Sequence, residues 1–302
     1  MSRGVAAAYL ACALIWGTTW FAIRVSIGEG GFPTFVSLAL RFAIAMAILI
    51  PIALRARPWP RGRAWGYLVL AGVLDAVAYA LVYLGEERVP GAVGAVLYGT
   101  QPLILAVLLT AFRIERITPR HIIGSIVSLV GVGVLFHDRL EISSRQAAGV
   151  AMIVGSVVAS TAYSMLVKQH GKRVHGVVST AVFLTVTAIV LAIAAAIAGK
   201  PIPWPPPRNA SLAVVYLAVI GTVIAFYLYF WMLQHATLVL ASTLVFVFPL
   251  IAIVTDALFE AERLGAGGYL GAAIVLGGLG VSLRRPRSIA LDRRVGDPRT
   301  DR

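Results

Sequence analysis

Charged side chains are the scarcest feature of this sequence. They make up 13% of its 302 residues, against 59% hydrophobic ones. A soluble domain carries about a quarter charged residues. This chain therefore cannot hide its apolar surface in a water-bathed core and must use lipid as solvent. Cysteine is nearly missing as well. Cys12 stands alone, which excludes an internal disulfide. There is no G-x-x-x-x-G-K-[ST] loop, which excludes ATP use by that route, and no G-x-S-x-G, H-E-x-x-H or cysteine pair. The five histidines, His121, His137, His170, His175 and His235, fall at span ends without metal-ligand spacing, so neither a metal nor a cofactor is expected. The net charge of +13 sits in short loops and the tail, not in a stripe interleaved with aromatics. That argues against a nucleic-acid partner and for orientation in, and contact with, an anionic bilayer.

What is there is apolar sequence in membrane-sized pieces. A span needs about 20 apolar residues. On that ruler the chain holds ten, at 4–26, 34–54, 64–84, 89–112, 120–137, 146–167, 176–199, 210–232, 236–259 and 266–283. The connections are short except for the proline-rich KPIPWPPPR at 200–208, read as extended. The polar, basic tail 284–302 is expected to be disordered. The first span is too long for a signal-peptide core, and it takes part in the repetition described next, so it is read as a membrane helix.

The chain repeats itself. Shifted by 147 residues, Pro102–Phe136 falls on Pro249–Leu283 with twelve of 35 positions identical and no gap. The matches include Pro102/Pro249, Glu115/Glu262, Gly124/Gly271, Gly131/Gly278 and Gly133/Gly280. Chance matching of apolar segments would pair Ala, Leu and Val instead. Such internal repeats mark secondary transporters. Each unit holds five spans, an odd number, so the second must enter the membrane from the opposite face. With the N-terminus inside, 18 basic residues lie on the inner side and seven on the outer. Both termini are therefore expected in the cytoplasm. The expected fold is an all-α integral membrane protein, with ten transmembrane helices in two inverted five-helix repeats over 1–140 and 146–283.

Several residues stand out on this frame. Asp75 lies halfway along span three, where a charged carboxylate costs about 2.5–3.5 kcal/mol on insertion scales. It must face protein or water, and being cheaper when neutral it could carry a proton. With Tyr79 and Tyr83 it forms an i, i+4, i+8 face whose counterpart is Thr222, Phe226 and Phe230. Two such faces suit opposing cavity walls, although a hydrogen-bonded strut fits Asp75 equally well. Arg41, within span two, is a charge partner for Asp75 or Asp256, a snorkelling residue or a carboxylate ligand. Trp16 and its counterpart Tyr163, together with Tyr98 and Gln101, are candidates for the path. Trp20 also suits the interfacial belt, and Tyr227, Tyr229 and Trp231 read as lipid-facing or interfacial. Pro102 and Pro249 are expected to break the bonds to the carbonyls of Tyr98 and Val245, forming kinks that serve as hinges or static bends. The paired glycines, Gly133 and Gly280 included, read as helix-packing surfaces. Glu115 and Glu262 suit caps or interfacial salt bridges.

The Trp16-Gly17 pair, Arg41 in ALRFAIA, the doubled Pro-x12-Glu of Pro102/Glu115 and Pro249/Glu262 before Gly-rich spans, and GTVIAFYLYFWMLQHATLVLASTLVFVFPL together resemble the drug/metabolite transporter superfamily. The likeness is to its EamA-type members and covers nearly the whole chain. It implies exporters of amino acids, amines, other metabolites or drugs, with a central cavity between the halves. Asp75 lies outside the matched pattern. The arginine, alanine and glycine bias, with three lysines, is associated with high-GC bacteria and hence an inner membrane. The reading is an alternating-access exporter of small metabolites, with lipid bilayer and small-molecule substrate as partners and a homodimer left open. Its alternatives are a facilitative exchanger without proton coupling and an intramembrane lipid-modifying enzyme using Asp75 and Arg41.

Overall fold

The computed structural model describes residues 2–89, 97–114, 117–135, 146–170, 174–259 and 266–283, without the side chains of 249, 252, 253, 255–259 and 266. Glu115, Glu262, the side chain of Asp256 and the tail 284–302 lie outside the described residues.

Among the described residues the fold is helical without strands. The helices are α1 (Arg3–Ile27), α2 (Thr34–Arg55), α3 (Arg63–Glu86), α4 (Gln101–Ala111), α5 (Pro119–Leu135), α6 (Ala147–His170), α7 (Gly176–Ala198) and α8 (Arg208–Ala218). A π-helical turn, Val219–Ile224, joins α8 to α9 (Ala225–His235). Then follow α10 (Leu238–Ser242), α11 (Leu244–Phe259) and α12 (Ala266–Leu283). Six helical stretches, counting α8 through α9 as one, are long and apolar enough to cross a membrane. Four shorter apolar helical stretches fall where the other expected spans lie.

Local chemistry sets the ends. Ser2 caps α1 by accepting from the Val5 amide at 3.3 Å. Gly199, with φ +61°, closes α7 in the left-handed conformation just before Pro201. Residues along the outer faces, such as Leu14, Leu54, Ile123, Ile193 and Leu276, are exposed and apolar, as lipid-facing positions must be. Serine, threonine and the two buried charges Arg41 and Asp75 lie inside.

With lipid on both sides there is little hydrophobic drive to join helices, so close approach of small residues does the work. The α5–α12 seam is built this way. A Cβ on Gly124 would lie 2.6 Å from the Gly278 carbonyl, and one on Gly278 would lie 2.6 Å from the Gly124 carbonyl. The same exchange links Gly131 and Gly271, at 3.0 and 2.9 Å. Gly124 is the counterpart of Gly271, and Gly131 of Gly278, so the 147-residue shift converts one contact into the other. Between them Ser128 Oγ donates to the carbonyl of its own counterpart, Val275, at 3.1 Å. The pairs run in opposite directions along the chain, so the two helices are antiparallel. Gly133 and Gly280, expected in the packing surface, do not share this contact: among the described residues a Cβ at either meets nothing within 4 Å. Each lies two residues from a seam glycine, which turns it off the contact face.

Pro102 differs from expectation. Residues 97–98 are helical, 99–100 form a turn, and α4 begins afresh at Gln101. Pro102 takes an early position of that new helix, where its missing N–H costs no intrahelical bond. The first-repeat span is thus interrupted ahead of its proline rather than kinked at it. In the second repeat the interruption falls at Thr243, and Pro249 lies inside α11.

Candidate functional site

A cavity of about 130 Å³ lies between the two repeats. Its wall includes Trp16, Trp20, Arg41, Asp75, Tyr79, Tyr98, Gln101, Ser160, Tyr163, Phe226, Tyr229 and Phe248. Five pairs in the full lining are related by the 147-residue shift: Trp16/Tyr163, Tyr79/Phe226, Val82/Tyr229, Tyr98/Val245 and Gln101/Phe248. Of the residues singled out from sequence, Trp16, Arg41, Asp75, Tyr79, Tyr98, Gln101, Tyr163 and Phe226 are brought together here. Tyr83 is fully buried behind the wall and supports Arg41 instead.

Arg41, on α2, is 1% exposed and does not snorkel. Its Nε donates to Thr222 Oγ1 at 2.8 Å. Nη1 donates to the Tyr83 hydroxyl at 3.4 Å, and Nη2 to the Tyr79 hydroxyl at 3.2 Å and the Gly221 carbonyl at 3.3 Å. Its guanidinium also lies 4.8 Å from the Tyr79 ring centre. The acceptors come from both repeats, and all are uncharged. Gly221 and Thr222 belong to the π-helical turn, a local departure found often at functional sites. The Gly221 carbonyl serves Trp16 too, whose indole N–H donates to it at 3.3 Å.

Asp75, on α3, is fully buried. Thr187 Oγ1, on α7, donates to its Oδ2 at 3.0 Å, while Oδ1 has no hydrogen-bond partner among the described residues. Asp75 is thus neither paired directly with Arg41 nor fully satisfied. Further polar contacts fix the rim: the Tyr98 hydroxyl shares a hydrogen bond with Ser156 at 2.6 Å, and Gln101 donates to Ser160 at 3.3 Å. Aromatic edges pack the rest, with Trp16 against Phe226, Tyr229 and Phe248 at 5.7, 5.1 and 5.9 Å. Trp20 meets Tyr98 at 5.9 Å and belongs to the wall rather than to a belt.

Hydrogen bonds tie the helices together toward one end of the cavity. The hydroxyls of Tyr9 and Thr243 meet at 2.9 Å, and those of Ser164 and Tyr229 at 2.9 Å. Lys168 Nζ donates to the Leu233 carbonyl at 2.6 Å and also to that of Ala236, tying α6 to the end of α9. At the other end the lining continues to Ile23 and Val82. Tyr229, read as lipid-facing or interfacial, is 7% exposed and part of the wall. The aromatic run in α9 carries no periodicity that would separate it from Tyr227, which is 38% exposed. Glu86 also escaped the sequence reading. Its Oε1, in the last turn of α3, is buried without a partner among the described residues, although its spacing puts it on the face of Tyr79 and Tyr83.

A profile of the EamA-like transporter family matches the chain twice, over residues 3–137 and 147–284. The Uncharacterized inner membrane transporter YedA of Escherichia coli (strain K12) is 28% identical over 275 residues, covering 89% of this chain and 87% of that protein. The Uncharacterized transporter YwfM of Bacillus subtilis is 27% identical over 290 residues, covering 92% and 93%. Protein PagO of Salmonella typhimurium is 22% identical over 249 residues, covering 81% of each. A crystal structure 23% identical superposes with a TM-score of 0.76 over 94% of this chain and 97% of that one, a likeness of fold alone.

Proposed function

Because this chain belongs to the EamA-like transporter family and is a membrane transporter, we propose that it exports small metabolites by alternating access, as a secondary active carrier in a bacterial inner membrane. The observation that carries this reading is the set of five repeat-related pairs around one cavity. A site built from matched positions of two halves is what a rocking pair of inverted repeats requires. The reciprocal α5–α12 contacts support an inverted relation between units 1–140 and 146–283.

The halves differ in the side chains that can close the cavity, as a carrier open to one side at a time requires. The Ser164–Tyr229 hydrogen bond corresponds to Gly17 and Val82, which have no side-chain hydroxyls to exchange. With both termini cytoplasmic, as the basic-residue bias indicates, the tied end is the closed one and faces inward, and the cavity extends outward. Pro102 lies just after one helix interruption and Pro249 within α11, six residues beyond another, and the two serve as the pivots. Asp75, costly when charged and cheaper when neutral, links protonation to the direction of opening. The arrangement offers no nucleophile with its base and no metal set among the described residues. A carrier therefore fits better than a lipid-modifying enzyme, and the only partners the reading requires are substrate and bilayer.

The test is export. Overexpression in a bacterial host should raise tolerance to at least one toxic amino acid, amine or related metabolite. Vesicles with an imposed pH gradient should move that compound faster than vesicles without one. Equal tolerance of host and overexpressor across such a screen would sink the exporter reading, and indifference to the gradient would leave a facilitative exchanger.

A further inference from the structure

We propose that the loop joining α2 to α3 is a binding site for an anionic phospholipid, its phosphate held by arginines and its acyl chains lying on the helix faces beneath them. The loop is on the side that the basic-residue bias assigns to the cytoplasm, so the lipid belongs to the inner leaflet. The site goes beyond the transporter reading and does not depend on the cargo. Four arginines stand close together in sequence: Arg55 ends α2, Arg57 and Arg61 lie in the loop, and Arg63 begins α3. All four are exposed. No acidic residue occurs between Glu29 and Asp75, so nothing nearby in sequence offsets their charge. Among the described residues none of the four pairs with an acid from another helix, and Arg57 uses one donor on the Ala56 carbonyl at 3.2 Å. The far end of α3 is built differently, since Arg88 there lies 3.6 Å from Glu87.

Topological bias asks only for a count of basic residues on one side. This loop adds support and position. Its backbone is fastened to the bundle: the Pro58 carbonyl accepts from the His175 N–H, at the start of α7, at 3.0 Å, and Pro60 is buried. Trp59 and Trp65 stack beside the arginines, with ring centres 6.0 Å apart and planes at 29°. Indole rings favour the headgroup depth of a bilayer, and Trp65 is exposed there. Below the charges the surface is apolar. Ile52 lies about one turn from Arg55 along α2, and Leu70 about two turns from Arg63 along α3, each on the face of its arginine. Both are exposed. A soluble anion makes no use of that apolar part. A phospholipid carries the two chemistries in the same order, phosphate above and acyl chain below. Arginine forks match phosphate oxygens in paired hydrogen bonds, and basic surfaces at the cytoplasmic ends of membrane helices attract anionic headgroups. The joint so clamped holds the ends of α2 and α3, the helices of Arg41 and Asp75, so a bound lipid steadies the two elements that place charge in the cavity.

Lipids differing only in headgroup test this. Purified full-length protein in a neutral detergent is followed by thermal stability while phosphatidylglycerol, phosphatidylethanolamine with the same acyl chains, or glycerol phosphate is added. Phosphatidylglycerol should raise the midpoint at a concentration about tenfold or more below that needed by phosphatidylethanolamine, the scale set by several arginines near a charged surface. Glycerol phosphate should leave the midpoint unmoved at those concentrations. R55Q/R57Q/R61Q/R63Q should erase the preference, while K200Q/R208Q, outside this loop, should keep it. Equal action of the two lipids would overturn the proposal. So would a preference that survives the four-fold change or disappears in K200Q/R208Q. Glycerol phosphate as potent as the lipid would put a soluble-phosphate site in its place. The wild type decides even where the four-fold variant folds poorly. Phosphatidylglycerol with a photoreactive headgroup should cross-link within residues 55–65, and cross-links confined to other loops would overturn the assignment.

Discussion

Asp75 and Thr222 lie 147 residues apart, and each accepts a hydrogen bond from the opposite repeat. Thr187 of the second repeat donates to Asp75 at 3.0 Å, and Arg41 of the first donates to Thr222 at 2.8 Å. The donors stand one step from equivalence, since the counterpart of Arg41 is Ala188. The halves are thus cross-tied at their centre by two unlike links, one fixed cation and one hydroxyl.

That asymmetry makes Arg41 hard to replace. Arg41→Lys keeps the charge but loses the planar fork that reaches four acceptors at once. Arg41→Met removes the charge and leaves Tyr79, Tyr83 and Thr222 without their donor. We expect Lys to lower stability by about 3 kcal/mol, the scale of breaking a buried charged network, and to abolish transport. Guanidinium unfolding followed by tryptophan fluorescence is the measurement, and a Lys variant with wild-type stability and transport would show that the fork is dispensable.

The lining makes a separate prediction about access. With Cys12 replaced by serine, single cysteines at Trp16, Tyr79, Tyr98 and Tyr163 should react with a water-soluble thiol reagent in at least one state. A cysteine at Tyr227, on the lipid side, should not. The reverse pattern would mean that the cavity faces were assigned to the wrong sides of their helices.

The tied end gives a test of direction. Lys168→Met removes the tie between α6 and the end of α9. A cysteine at Leu244, at that end of the cavity, should then react at least severalfold faster with reagent supplied from the cytoplasmic side, while one at Ile23 becomes less reactive from outside. Lys168→Arg should restore the original pattern. Unchanged rates at both positions would deny Lys168 any part in holding that end closed.

Topology can be read with reporters. Fusions in the 200–208 loop and in the C-terminal tail should report opposite sides of the membrane, the tail being cytoplasmic. Both on one side would end the inverted-repeat proposal.

Packing supplies the control. Gly124→Val or Gly278→Val forces methyl groups against backbone, where the first added carbon already lies 2.6 Å from a carbonyl oxygen. A loss of about 1–3 kcal/mol, the usual range for overpacking, is expected. Gly133→Ala and Gly280→Ala, whose added Cβ meets nothing among the described residues, should be neutral within about 0.5 kcal/mol.

Much of this is legible in the sequence, and the reasons are physical. Hydropathy reports spans because lipid demands it, and the 147-residue shift is countable. Together they pair Trp16 with Tyr163 and Tyr79 with Phe226. What stayed hidden has no one-dimensional trace. VIGTVI does not announce a π-helical turn, and the segment AFYLYFWMLQH is aromatic on every face, so Tyr229 could not be told from Tyr227. Thr187 and Ser160 are two among many small hydroxyls in apolar runs. Glu86, followed by Glu87 and Arg88, looks like the start of a loop. Only its distance of eleven residues from Asp75 puts it on the inner face.

The α5–α12 seam has a consequence for how this chain can change over generations. A face that fits its own shifted copy is the kind two identical short chains would form about a two-fold axis. In one continuous polypeptide it couples distant codons: a bulkier residue at Gly124 presses on Gly278, and one at Gly271 presses on Gly131. Those four sites must stay small together. The cavity faces the opposite demand. An asymmetric cargo touches each half differently, so Asp75 and Thr222, or Gln101 and Phe248, are released from sameness. Drift held in check at the seam and set free at the centre lets a duplicated carrier acquire a new cargo without losing its architecture.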